Sequence, residues 1–129
     1  MHSHRLRPLD LASGRIELPH GSGGRATAQL IAELFARHFR SASLDAAHDA
    51  AVLPQPTGRL AISTDSYVVS PLFFPGGCIG DLAVNGSVND VAMAGAKPLA
   101  LTVGFILEEG FPLADLDRIC QRMAEATTA

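Results

Sequence analysis

The chain has 129 residues, a net charge of −3 at pH 7 and a hydrophobic fraction of 47%. That length supports one domain with a real core. The negative balance argues against nonspecific nucleic-acid binding, which needs a basic surface, and no apolar run approaches the roughly 20 residues of a membrane span. Abundant Ala, Gly and Val without Trp point to an α/β or α+β protein of closely spaced elements.

Residues 1–14 are read as a mobile leader. They carry basic residues but no continuous apolar core, so they are not read as a signal peptide, and the cytoplasm is the expected compartment. Arg15–Pro19 is expected to form a short edge strand ended by its proline. The loop His20, Gly21, Ser22, Gly23 and Gly24 then opens an amphipathic helix in which Leu30, Ile31, Leu34, Phe35, His38 and Phe39 recur on one side. A glycine loop at a helix start turns backbone N–H groups toward an anion. Neither Gly-Lys-Ser/Thr nor G-x-G-x-x-G is present, and by itself such a loop is more often a flexible connector than an anion site. His20 is a candidate phosphate donor or a solvated loop histidine.

The run from Asp49 to Leu53 turns apolar and suggests a strand. Pro54, Pro56 and Gly58 make the turn into a second strand, Leu60–Val69. Phe73 and Phe74 lie in a Pro71–Gly77 turn, as core or dimer-contact residues. Ile79–Ala94 is a helix rich in small side chains, with Val84, Val88 and Val91 on one face and Asp81, Asn85 and Asn89 on a neighbouring stripe. Gly95–Pro98 ends it. Leu99–Leu107 alternates as a long strand with two covered faces, and Glu108–Gly110 closes it in an acidic turn. A last helix from Leu113 carries Leu116, Ile119, Cys120 and Met123 as its core stripe. Cys78 and Cys120 lack C-x-x-C spacing, so neither a zinc site nor a redox pair is indicated.

Two acidic points fall within this frame: Asp65 at a strand end, and Asn89-Asp90 late in the small-residue helix. A carboxylate facing a carboxylate and an amide forms an oxygen set for a hard cation. Magnesium suits it, taking few carboxylates and completing its shell with water and phosphate. Spacing alone leaves the alternative open that Asp65 caps a turn and Asp90 is a solvated helix residue. Asn89 and Asp90 point about 100° apart on a regular helix, so one contacts the ligand while the other braces.

The string PLFFPGG-x-IG-x-LAV-x-G-[ST]-x-ND resembles the HypE family of nickel–iron hydrogenase maturation proteins. So do HGSGG at His20–Gly24, STDSYVV at Ser63–Val69 and GFILEEGFP at Gly104–Pro112. They come in the family's order over roughly the amino-terminal half of such a protein. DAAV, TD and ND-x-A-x-x-GA-x-P are shared by the wider PurM-like, AIR-synthase-related ATP-binding superfamily. The resemblance implies a PurM-like amino-terminal ATP-binding domain over residues 15–129, with a mixed four-stranded sheet packed by helices and sheets pairing across a homodimer. The carboxy-terminal domain is absent on this reading.

What the resemblance implies about chemistry is specific. HypE-like proteins use ATP to dehydrate a thiocarboxamide on their own carboxy-terminal cysteine to a thiocyanate, the source of the cyanide ligand of the nickel–iron site. HypC- and HypD-type proteins are assembly partners, and a HypF-type protein is the carbamoyl donor. The cofactors implied are ATP and Mg2+. His20–Gly24, Asp49, Asp65, Asn89 and Asp90 are the implied nucleotide set, with Asp49, Asp65 and Asp90 on the metal. His48 stands where many relatives have an acid, so the site is expected to be one charge weaker. Without the terminal cysteine, this chain alone should not complete the reaction. Alternatives are another PurM-like ATP enzyme, of selenophosphate synthetase or thiamine-phosphate kinase type, or a noncatalytic dimerisation or docking module.

Overall fold

The fold is organised by its last helix. The computed structural model describes residues 7–46, 48 and 50–128. The elements are a 3₁₀ turn at Leu18–Gly21, α1 (Arg25–Leu30), a π-helical turn at Ile31–Phe35, α2 (Ala36–His38), α3 (Ala42–Asp45), β1 (Phe73–Phe74), β2 (Gly77–Cys78), α4 (Ile79–Met93) and α5 (Leu113–Ala126).

Helix α5 buries Leu113, Leu116, Ile119, Cys120 and Met123 at helical spacing, while its other faces stay polar. One part of this stripe joins Ile16, Leu30 and Leu34 from the amino-terminal segment and the α1–π–α2 run. Another part joins Cys78 and Val84 from β2 and α4. Phe39, Phe105 and Phe111 pack against both clusters and make the core continuous. Phe105 lies 4.8 Å from Phe35 and 6.4 Å from Phe39, centroid to centroid. Each fully buried leucine here contributes about 1.5–3 kcal/mol.

The contact between α4 and α5 depends on the missing side chain of Gly80. A Cβ there would stand 2.7 Å from both the Ile119 carbonyl oxygen and Met123 Cγ, so only glycine lets the helices approach this closely. Helix α4 starts behind Cys78, whose backbone N–H donates to Asp81 Oδ2 at 2.8 Å. Asp81 also receives Arg122 of α5, with Nη2 at 2.8 Å from Oδ1 and Nε at 3.1 Å from Oδ2. A second tie joins α2 to α5, where His38 Nε2 lies 2.7 Å from Asp117 Oδ1.

The amino-terminal segment is held against the start of α5. Ile16 N donates to Phe111 O at 2.8 Å, Gly110 N to Ile16 O at 2.7 Å and Leu113 N to Gly14 O at 3.0 Å. The edge strand expected at Arg15–Pro19 is reduced to an antiparallel bridge between Arg15 and Pro112, because the chain turns into the 3₁₀ turn at Leu18. Within the expected leader, Leu9 and Leu11 pack on the core. Leu9 N donates to Glu33 Oε2 at 2.7 Å, and Gln29 Nε2 donates to Arg7 O at 2.6 Å.

The sheet differs most from expectation. Among the described residues the ladder is β1 with β2, antiparallel, pairing Phe73 with Cys78 and Phe74 with Gly77. Among the described residues Leu60–Val69 and Leu99–Leu107 have no ladder partners. The two covered faces expected for Leu99–Leu107 are likewise not formed: Phe105 and Leu107 are half-buried, but Leu101, Val103 and Ile106 are exposed. A strand is made by its neighbours' hydrogen bonds, and alternating side chains cannot supply them. No helix among the described residues is long and apolar enough to cross a membrane.

Candidate functional site

The extended segment after Leu60 lies along α4, and three hydroxyl groups register the two. Ser63 Oγ donates to Asp90 Oδ2 at 3.2 Å. Tyr67 Oη donates to Asp65 Oδ2 at 3.0 Å and lies 3.4 Å from Ser87 Oγ. The small residues of α4 make room for this: a Cβ on Gly86 would strike the Tyr67 hydroxyl and stand 2.9 Å from its ring carbons Cε1 and Cζ. Through these contacts Asp65 of the extended segment and Asp90 of α4 both lie along the seam between the two elements.

Both carboxylates are exposed, and both act on the phenol. Ser87 draws the Tyr67 pKa down, but partial desolvation, the hydrogen bond to Asp65 and the charges of Asp65 and Asp90 together hold it above its ordinary value of 10.0. The donors gathered here are carboxylate and hydroxyl oxygens, the set that hard cations prefer.

Asn89, next to Asp90 in α4, is exposed. Asp90 is the member of the pair that faces Ser63, which fits the roughly 100° between consecutive helix side chains. Asp49 lies outside the described residues, so its place in the metal set is not described. His48 is exposed. Among the described residues no three His, Cys, Asp or Glu side chains converge as a metal cluster.

The glycine loop forms a separate surface feature. Gly23 has φ +77, a left-handed conformation suited to glycine. Its N–H donates to Thr27 Oγ1 at 3.0 Å, and Ser22 Oγ donates to Pro19 O at 2.9 Å. His20 Nδ1 accepts from Glu17 N at 2.9 Å, closing a capping box with Glu17. Gly24 is the N-cap of α1. His20 and Gly21 sit at the rim of an open cleft of about 640 Å³, floored by Leu30, Phe35, Val103 and Phe105. Asp65 and Asp90 do not line it.

Cys78 and Cys120 are both buried. Burial, and secondarily the Asp117 charge, pushes the Cys120 thiol up to about 12, which removes it from nucleophilic chemistry at neutral pH. Sequence reasoning missed Ser63, Tyr67, Ser87 and Gly86 as site residues. The i, i+2 spacing of Ser63, Asp65 and Tyr67, which puts all three on one side of an extended segment, was the available signal.

The domain model for AIR synthase related protein, N-terminal domain, matches residues 47–129. The chain belongs to the AIR synthase related family. Within that family its likeness is to HypE proteins. It is 63% identical over 92% of its length to the hydrogenase expression/formation protein HupE of Azotobacter chroococcum. To the carbamoyl dehydratase HypE of Azotobacter vinelandii it is also 63% identical, again over 92% of its length. The HypE of Escherichia coli is 51% identical over 88% of the chain. The chain spans about a third of these relatives, 35% of each, rather than the half expected.

A solved structure of hydrogenase maturation protein HypE in complex with ATP superposes with a TM-score of 0.83 at 55% identity, covering 86% of this chain and 33% of that one. The PurM-like fold and the HypE resemblance read from FFPGG and EEGFP are thus borne out.

Proposed function

We propose that this chain is the nucleotide-binding part of a HypE-type carbamoyl dehydratase, taking ATP with Mg2+ at the surface shared by Asp65 and Asp90. The observation that carries the reading is their convergence: Ser63 fixes Asp90 and Tyr67 fixes Asp65 on one side of α4. The oxygen donors fit magnesium, and the solved HypE relative binds ATP. Asp65 and Asp90 hold the cation, with Asp49 as the third acid, while Asn89 and the His20–Gly24 loop serve the nucleotide. When bound, magnesium neutralises charge on the phosphates.

In the whole protein the substrate is a carboxy-terminal cysteine thiocarboxamide, dehydrated to a thiocyanate for the cyanide ligand. HypF-type carbamoyl donors and HypC/HypD-type assembly proteins are the partners. The chain's own cysteines are buried and do not substitute for that residue. The unpaired segments Leu60–Val69 and Leu99–Leu107 are the strands of the four-stranded sheet, and they pair across a homodimer in the cytoplasm. Their exposed Ile62, Val68, Val103 and Ile106 support this reading.

The test is ATP binding by the chain with and without magnesium. Binding that requires the metal and is lost in Asp65→Ala supports the reading; metal-independent binding counts against it.

A further inference from the structure

We infer that Tyr67 is a positioning residue for the nucleotide site: by bridging Asp65 and Ser87 from a slot opened by Gly86, it locks the extended segment in register with α4. This rests on the assignment of Asp65 and Asp90 to that site. Three observations converge on it. The Tyr67 hydroxyl donates to Asp65 Oδ2 at 3.0 Å and reaches Ser87 Oγ at 3.4 Å. The ring occupies space that a Cβ on Gly86 would take. Tyr67 is also half-buried, whereas Asp65 and Asp90 beside it are exposed.

The mechanical consequence follows from the topology. Within the chain Leu60–Val69 has no ladder partner among the described residues, so side-chain contacts set its register against α4. A one-residue slip of an extended segment turns every side chain to the opposite face. Asp65 would then point away from Asp90. The Ser63–Asp90 hydrogen bond lies on the exposed surface, where water competes with it. The aromatic ring in its helix slot is the larger constraint. A site whose two carboxylates come from different elements needs such a brace to hold them at ligand distance.

The experiment uses the chain's single tyrosine and lack of tryptophan, which make intrinsic emission a report on Tyr67 alone. The emission is compared first, without ligand, in wild type, Asp65→Asn and Ser87→Ala. Magnesium-dependent ATP binding is then compared in wild type, Tyr67→Phe and Gly86→Ala, with circular dichroism as the control for folding. The inference predicts that both ligand-free substitutions change the emission. It also predicts that Tyr67→Phe, which keeps the ring and loses the hydroxyl, weakens ATP binding roughly five- to tenfold with helix content unchanged. Gly86→Ala, which expels the ring, weakens it further.

Emission indifferent to Asp65→Asn and Ser87→Ala overturns the bridge, whatever happens with ATP. Equal ATP binding by wild type and Tyr67→Phe overturns the positioning role while leaving the nucleotide site standing. A wild-type chain that responds in emission yet binds no ATP overturns the nucleotide assignment, and the role of Tyr67 in it, while the bridge itself stands.

Discussion

Ser63 donates to Asp90 Oδ2 at 3.2 Å across a gap between an extended segment and the last turns of α4. The contact matters because it crosses two elements with no backbone ladder between them. Replacing Ser63 with alanine leaves the helix intact and frees the Asp90 carboxylate to rotate. Magnesium-dependent ATP binding is expected to weaken by roughly threefold, the low end for a net hydrogen bond, since water competes at this exposed site. Titration of Ser63→Ala beside Asp90→Ala, which should abolish binding, checks the difference.

Acid should loosen the start of α4. Burial disfavours the charge on Asp81, but the Arg122 hydrogen bond and the Cys78 N–H outweigh it, and the carboxyl titrates below its ordinary value of 3.8. A carboxylate depressed in the folded state adds stability above its unfolded pKa, and this stability is lost as pH falls through the folded one. Thermal unfolding followed from neutral pH down through about pH 3 should show a loss that Asp81→Asn lessens. At neutral pH the same variant should cost about 1 kcal/mol through the lost ion pair with Arg122, its amide oxygen still accepting from Cys78 N–H.

Gly80→Ala tests the helix contact. The added methyl would meet the Ile119 carbonyl oxygen and Met123 Cγ at 2.7 Å, and backbone cannot yield as a side-chain tip can. Overpacking of this kind costs about 1–3 kcal/mol. Denaturant unfolding should show that loss, whereas Gly104→Ala, which meets nothing within 4 Å, should fall well short of it.

Neither cysteine should react while the chain is folded. Cys78 is 1% and Cys120 0% exposed, and the Cys120 thiol is raised to about 12. An alkylating reagent at about pH 8 should modify neither within the time that labels a free thiol, and should label both in denaturant. Rapid labelling of Cys120 in the native chain would contradict its place in the α5 core.

The helices were legible in the sequence for a physical reason. Helix α5 shows its buried face through the recurrence of Leu113, Leu116, Ile119, Cys120 and Met123, and that recurrence is local information. Helix α4, expected over Ile79–Ala94, is found over Ile79–Met93, although of its valine face only Val84 is buried. The sheet was not legible in this way. Leu99–Leu107 alternates as a strand does, but a ladder requires a partner, and alternation says nothing of whether one is present. The π-helical turn at Ile31–Phe35 left no mark on the apolar spacing either.

Of the site, the acids were visible and their brace was not. Asp65 and Asp90 stood out as charges among small and apolar residues. Tyr67 was not singled out within Leu60–Val69, because its place depends on what Gly86 omits on a different element. Ser87 looked like one more small residue. The glycine loop was legible as a turn before a helix, yet its Gly23 N–H is already spent on Thr27.

The measurement that tests the central claim most directly is calorimetric titration of ATP into the chain with magnesium, beside Asp65→Ala and Asp90→Ala. Convergence of the two acids on one site predicts metal-dependent binding by the wild type and its loss in both variants, with circular dichroism unchanged. Binding that persists in either well-folded variant would contradict it.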